Sequence, residues 1–397
     1  MRTQKKLDVK DKKTLVRVDY NVPMSEGEIV SDARIKATLE TLRALIEKGA
    51  RVIIISHLGR PKGKVNPALS LKPCAERLQQ LLGQKVTFIK ECVGEKAKAA
   101  VNSLESGSVL MLENARFYPG EEKPEDHPEF GQALFELGDV YVNDAFAVSH
   151  RKHASVYMVP KLFKEKAAFG LLMEKEVTVL GKDLIKSPKR PFFAVIGGSK
   201  VSTKLGVLKA LLNKVDGLML GGGLAYTFLK ARGVKVGKSL VEDDFIDKAK
   251  EIMKLADEKG VELLLPIDVL ASKSFDGSKP VQSVDLEAGI GKDEEGVSIG
   301  PGTQNAWLKK LAGVKTIFWN GPLGIYEIDA FAGPTEGFAK GLSSLDAVKI
   351  AGGGDCIAAI GKAKLESGFT YLSTGGGAAL EYIEKGTLPG IEAIRGN

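Results

Sequence analysis

Few side chains in this chain are suited to redox, metal or general-base chemistry, since its 397 residues include only three cysteines and four histidines. Cys74, Cys92 and Cys356 are widely spaced, odd in number and without metal-ligand spacing. Buried free thiols are therefore expected, and neither a disulfide framework nor a zinc site. No apolar run approaches the roughly 20 residues of a membrane span. The stretch Met1 to Asp11 is charged and lacks the apolar core of a signal peptide, so a cytoplasmic location without membrane association is expected. Net charge is +7, yet no run of five or more basic residues and no basic stretch interleaved with aromatics occurs. A nucleic-acid surface is not expected. Gly233, Gly237, Lys238 and Ser239 imitate a P-loop, but three residues separate the glycines where that motif requires four.

What is present is the balance of a soluble globular protein, 44% hydrophobic and 27% charged. The length exceeds one ordinary hydrophobic core and predicts two domains. Short β-rich apolar runs alternate with helical patterns throughout, the mark of parallel sheets built from βαβ units and of an α/β fold. In the first half the strands are read at Leu15 to Asp19, Val52 to Ser56, Val86 to Ile89, Val109 to Glu113 and Val140 to Asn143. In the second they are read at Phe192 to Ile196, Gly217 to Leu220, Glu262 to Leu265, Thr316 to Trp319, Val348 to Ala351 and Thr370 to Ser373. One helix is expected to start at Ser31 as N-cap and stop at Gly49, with Ile35, Leu39, Leu42 and Ile46 on one face. A long helical pattern over Leu171 to Ile185, followed by Ser187, Pro188 and Pro191, places the domain junction there.

Open α/β sheets bind ligands beyond the carboxyl ends of their strands. In the first half those positions hold Asp19 and Asn21, then His57, Gly59 and Arg60, then Asn114 and Arg116, then Asp144, His150 and Arg151, with Arg34 in the first turn of its helix. Arg34, Arg60, Arg116 and Arg151 thus converge from separate loops on one sheet edge, where guanidinium forks suit a small ligand with two anionic groups. Any one of these arginines alone reads better as a solvated charge or structural ion pair, and His57 alone as a structural hydrogen-bonding residue. Four at one edge favour a site. His127, among Pro124, Glu125, Asp126 and Pro128, reads as an exposed turn.

In the second half, glycine clusters follow four strands: Gly197 and Gly198 before Lys200, Gly221 to Gly223, Gly352 to Gly354 before Asp355, and Gly375 to Gly377. An isolated cluster is as well explained by a tight turn. Several on one edge make a cradle for polyphosphate, because glycine permits close backbone approach and helix N-termini attract phosphate oxygens. Lys200 and Lys204 are expected on one face of a helix opening there. Asp355 is the best-placed carboxylate for Mg²⁺. None of the clusters has the spacing of the dinucleotide fingerprint, which counts against a dehydrogenase.

Nine stretches in this order resemble those of phosphoglycerate kinases. The first half carries Arg17 to Pro23, Ser56 to Pro61, Glu113 to Phe117, Asn143 to Phe146 and Ser149 to Arg151. The second carries Gly197 to Val201, Trp319 to Pro322, Gly352 to Asp355 and Ser373 to Gly377. The resemblance implies two Rossmann-like domains, each a mainly parallel sheet flanked by helices, joined by a long helix and hinge. The expected boundaries are 1–170 for a phosphoglycerate-binding domain, 171–186 for the joining helix, 187–379 for a nucleotide-binding domain, and 380–397 for a segment packing back on the first domain.

It further implies reversible Mg²⁺-dependent phosphoryl transfer between 1,3-bisphosphoglycerate and ADP, giving 3-phosphoglycerate and ATP in glycolysis, by a monomer that closes about a hinge. Asp19, Asn21, Arg34, His57, Gly59, Arg60, Arg116 and Arg151 would bind 3-phosphoglycerate, with Arg34 reaching the moving group. Lys200 and Lys204 would contact nucleotide phosphates and that group, Glu327 the ribose, and Asp355 the metal. Gly221, Gly222, Gly300 and Pro322 would line the base site. Gly197, Gly353, Gly354 and Cys356 complete the nucleotide set, and Gly375 and Gly376 would offer amides to the phosphoryl group. Three residues depart from the family pattern: Cys356 where Ser or Thr is usual, Ser298 for Asp, and Tyr20 for Phe. A thiol is a weak donor, so weaker nucleotide binding is expected at Cys356.

Such a transfer needs positioning and charge neutralisation but no general base, since neither a carboxylate nor an ADP oxygen must lose a proton. Two rivals make different demands. A nucleotide-regulated RNA- or acidic-segment-binding protein would need aromatic stacking residues that are not evident, and a dehydrogenase would need the absent fingerprint.

Overall fold

In a computed structural model, which describes residues 2–396, the chain divides into two compact units, Met1–Thr178 with Thr387–Asn397, and Val179–Gly386. The division falls inside the helical stretch read from Leu171 onward. That stretch is an α-helix at Leu171–Thr178 and a π-helix at Val179–Lys186.

The first unit is built on six parallel strands: β1 (Lys13–Arg17), β2 (Arg51–Ile55), β3 (Val86–Ile89), β4 (Val109–Leu112), β5 (Val140–Asn143) and β6 (Ala167–Phe169). Their order across the sheet is β3-β4-β2-β1-β5-β6. Residues Val109–Leu112 and Val140–Asn143 are buried at every position. This continuous burial is what a parallel sheet covered on both faces requires, and it explains why these strands read as unbroken apolar runs. β1 lies between β2 and β5, with Arg17 opposite Ile55 and Asn143. The loops that leave β1, β2 and β5 therefore start side by side.

The helix expected from Ser31 to Gly49 is two helices, Ala33–Ala37 and Leu39–Glu47, parted at Thr38. Asp32 occupies the N-cap without a side-chain cap bond, since its carboxylate takes both Nε and Nη2 of Arg77 (2.9 and 2.6 Å). Thr38 turns its hydroxyl to the Ile35 carbonyl (2.9 Å) and to the Tyr20 hydroxyl (2.8 Å). The C-terminal return begins at Thr387, later than residue 380, because the helix Gly377–Lys385 belongs to the second unit. Its helix Pro389–Arg395 buries Ile391 and Ile394, and the Gly390 amide donates to the Ser149 carbonyl at 2.8 Å.

The second unit repeats the plan. Its parallel strands are β7 (Phe192–Ile196), β8 (Gly217–Leu220), β9 (Glu262–Leu264), β13 (Thr316–Asn320), β14 (Val348–Gly352) and β15 (Tyr371–Ser373), in the order β9-β8-β7-β13-β14-β15. A three-stranded antiparallel sheet, with β10 (Asp268–Ser272) between β11 (Val281–Asp285) and β12 (Glu295–Ile299), was not foreseen. Trp319 and Phe338 meet edge-on at 5.5 Å within the core. All three cysteines are free and buried. No helix of the described residues is long and apolar enough to cross a membrane.

Candidate active site

At the carboxyl edge of the first sheet the loop after β2 is fixed from three sides. Asn21 Oδ1 accepts the Gly59 amide (2.8 Å), Arg116 Nη1 donates to the Gly59 carbonyl (2.9 Å), and Asn114 Nδ2 donates to the Leu58 carbonyl (2.7 Å). Gly59 has φ +63, a left-handed conformation that glycine adopts without strain. Asp19 accepts the Asn21 amide at 3.1 Å and the Arg34 guanidinium, and its carboxylate stands 3.6 Å from His57 Nδ1. Burial and then the charges of Arg17, Arg116, His153 and Arg34 hold the His57 imidazole well below its ordinary value.

Arg151 acts likewise on His153, which burial and surrounding cations lower to about 3. Arg60 and Arg151 are exposed, whereas Arg116 is largely enclosed and pairs with Glu122 at 3.3 Å. The edge is therefore a layered cationic surface, anchored below and open above. His127 is half-exposed, just after the turn at residues 124–126, and stands at the N-cap of the helix Pro128–Phe135.

In the second unit two adjoining cavities share Gly198, Ser199, Pro322 and Asp355. The first, of about 300 Å³, has a wall of Tyr226, Leu240, Phe275, Val297 and Ile325, with Gly222 and Glu327 also lining it. The second, of about 370 Å³, is lined by Gly197, Lys204, Asn320, Gly353, Gly354, Cys356 and Gly376 among others. One is shaped for a flat apolar group and the other for an anion. A Cβ on Gly197 would lie 2.1 Å from the Pro322 carbonyl oxygen, so only glycine lets these loops meet. Gly376, with φ +51, is the N-cap of the helix Gly377–Lys385, and open space lies before it. First-turn amides there and at Gly354–Lys362 have no intrahelical acceptor and suit phosphate oxygens.

Several expectations require correction. Lys200 and Lys204 do not share a helical face, because Lys200 precedes a turn over residues 201–204 closed by the Lys204 amide on the Val201 carbonyl (2.9 Å), and the helix begins at Leu205. Lys204 lines the polar cavity and donates from Nζ to Asn320 Oδ1 at 2.6 Å. Desolvation lowers its ammonium to about 8. Lys200 is exposed, lines neither cavity, and its charge acts on Glu242.

Gly300 does not line the apolar cavity. It caps the helix Pro301–Leu311, and a Cβ there would strike the Asp268 carboxylate, which already accepts the Gly302 amide at 2.8 Å. Gly221 lies behind the wall, against Leu323, and Gly375 donates its amide to Ser373 Oγ at 3.2 Å. Cys356 Sγ faces the Trp319 carbonyl oxygen at 3.9 Å, and burial pushes its thiol up. Ser298 is buried in β12, and Tyr20 is wholly enclosed.

Sequence reading missed Asn320 and the apolar wall. Asn320 follows Trp319 and could have been found as a polar residue closing a buried strand. Tyr226, Leu240 and Phe275 had no such signal. Among the described residues no three His, Cys, Asp or Glu side chains group as a metal cage. Asp355, the carboxylate that both cavities share, fits a Mg²⁺ ion that arrives on phosphate oxygens, since that ion is commonly held by one or two carboxylates plus substrate.

The family model for phosphoglycerate kinase matches residues 4–386. The phosphoglycerate kinase of Chlamydia abortus is 48% identical over 394 residues, covering 99% of this chain and 98% of the relative. That of Dictyoglomus turgidum is 47% identical over 389 residues, covering 98% and 96%. Among solved structures, phosphoglycerate kinase from Coxiella burnetii aligns with a TM-score of 0.86 at 39% identity over 98% of each chain. Phosphoglycerate kinase from Pyrococcus horikoshii aligns with a TM-score of 0.87 at 31% identity over 100% of this chain and 98% of its own. By its motifs, its sheets and these relatives, the chain belongs to the phosphoglycerate kinase family.

Proposed function

We propose that the chain catalyses reversible transfer of a phosphoryl group between 1,3-bisphosphoglycerate and ADP, the glycolytic reaction named for its family. The observation that carries this reading is the pair of joined cavities with Lys204 and Asp355 at the polar end, in a chain whose other unit presents arginines at a sheet edge. Asp19, Asn21, Arg34, His57, Gly59, Arg60, Arg116 and Arg151 are assigned to 3-phosphoglycerate. The apolar cavity is assigned to the nucleotide base with Glu327 toward the ribose, and the polar cavity to its phosphates. Bound Mg²⁺ would neutralise phosphate charge beside Asp355.

Lys204, Arg34 and the glycine amides then meet charge spread over the equatorial oxygens as the group moves in line. The low-lying titration of His57 suits a hydrogen-bond donor and no proton acceptor is demanded. Closure about the hinge, which excludes water and so suppresses hydrolysis, belongs to the same proposal, as do a monomeric state and a cytoplasmic location.

The test is a coupled assay of ATP-dependent phosphorylation of 3-phosphoglycerate with and without Mg²⁺. Turnover that requires both substrates and the metal is expected. ATP consumption indifferent to 3-phosphoglycerate would reject the reading.

A further inference from the structure

Below the first unit's cationic edge lies a network of buried charges that the assignment above leaves unused. Arg17 ends β1 and Glu121 sits in the short helix Pro119–Glu122, and both are 0% exposed. Charges so enclosed persist only when other groups satisfy them. Arg17 donates from Nε to Ser155 Oγ (2.7 Å) and from Nη1 to the Val18 carbonyl, and its Nη2 lies 3.3 Å from His57 Nδ1. Ser155 passes the chain onward, donating its hydroxyl to Glu121 Oε1 (2.7 Å) and its amide to Oε2 (3.0 Å). Glu121 Oε1 also stands 3.7 Å from Arg17 Nη2. Tyr141 fixes the same turn by donating to the Ser155 carbonyl at 2.7 Å.

The arrangement has a chemical consequence for His57. A guanidinium has donors and no acceptor. A ring nitrogen bonded to Arg17 Nη2 must therefore accept, which leaves the proton of a neutral imidazole on Nε2. Asp19 Oδ1 asks the opposite of the same Nδ1, but from 3.6 Å, and Asp19 is already engaged by the Asn21 amide and by Arg34. The closer partner decides the tautomer.

We infer that Glu121, acting through Ser155 and Arg17, is a positioning residue that holds His57 as the Nε2–H tautomer, so that a neutral ring offers a donor to the anionic substrate. The inference rests on the assignment of His57 to 3-phosphoglycerate. Glu121 itself touches no substrate. With Glu121 uncharged, Ser155 and Val18 still bind Arg17, but its Nη2 loses the carboxylate beside it and its hold on the ring loosens, so Asp19 competes for Nδ1 and draws the proton there in part of the population.

The experiment is long-range ¹H–¹⁵N spectroscopy of the histidine rings in the full chain, with kinetics on the same samples, for the wild type, Glu121→Gln and Ser155→Ala. An unprotonated Nδ1 in the wild type is expected, with a tautomer mixture in Glu121→Gln. The KM for 3-phosphoglycerate should rise about tenfold, as loss of one hydrogen bond to a charged group predicts, while the KM for ATP stays within about twofold. Protonated Nδ1 in the wild type, or ring signals unchanged in both variants, overturns the inference. Should Glu121→Gln fail to fold, Ser155→Ala keeps the ion pair, breaks the relay and is read the same way. His57→Ala separates the two levels. If it leaves the 3-phosphoglycerate KM unchanged, the substrate assignment fails while the ring spectra still decide the role of Glu121.

Discussion

The two units answer the same need, an anion to be held, with different materials. The first uses long charged side chains carried by loops of one sheet edge, cross-braced by Asn21, Asn114 and Arg116 itself. The second relies on the main chain at glycine turns beside apolar rings, with Lys204 as the cation lining its polar cavity. The contrast follows from the ligands assigned to them. A small anionic acid offers little surface besides its charges, so binding must come from guanidinium forks. A nucleotide brings a flat apolar base that an uncharged wall can take, and its phosphates need amides that do not move. Side chains therefore govern one site and backbone conformation the other.

The sharpest way to break this comparison is to remove the second unit's cation. Lys204→Ala is expected to lower kcat by about 10²–10³, the cost of one preorganised charge at a transition state, and an unchanged turnover number in steady-state assays would take Lys204 out of the site. Arg34→Ala is expected to reduce turnover by about 10², with nucleotide affinity changed less than about twofold. Parallel kinetic and calorimetric titrations check this, and equal losses in both would mean that the units do not divide the labour.

A smaller effect sharpens the picture of Lys204. Its ammonium titrates near 8 because burial disfavours charge, and a phosphate beside it restores the charged form. ADP binding should then take up about half a proton at pH 8 and almost none at pH 6.5, with affinity weakening as pH rises further. Calorimetry in buffers of different ionisation enthalpy measures this directly, and proton release at pH 8 would reverse the sign. The smallest change expected is at Cys356, where Thr restores a strong donor in the polar cavity. ADP should bind about threefold more tightly, within the worth of one neutral hydrogen bond. An unaltered Kd would leave the cysteine without consequence.

How much of this was legible depended on whether the signal was local. Strands such as Val140–Asn143 and Phe192–Ile196 were read to the residue because burial on both faces leaves mostly apolar types, with Asn143 the polar exception at a strand end. Ala167–Phe169 escaped because three residues rich in alanine carry no strand pattern, though they complete the first sheet. Val281–Asp285 escaped because an edge strand of Gln, Ser and Asp reads as a loop. The break at Thr38 depends on a hydroxyl contributed by Tyr20, outside the helix. Loop residues of the site were found from their place after strands, and the glycines from their clusters. The slot formed by Tyr226, Leu240 and Phe275, and the pairing of Arg17 with Glu121, join residues far apart in the chain, and pairing at that range leaves no periodicity to detect.

The return of residues 387–396 to the first unit has a consequence for biosynthesis. Chain order delivers that last helix to its seat beside Ala154–Met158 only after every residue of the second unit has been made. While the polypeptide is being made, the earlier half therefore waits with a patch of its interior uncovered. The usual order of maturation on the ribosome, front before back, cannot run to completion for this first unit until its last helix has been made.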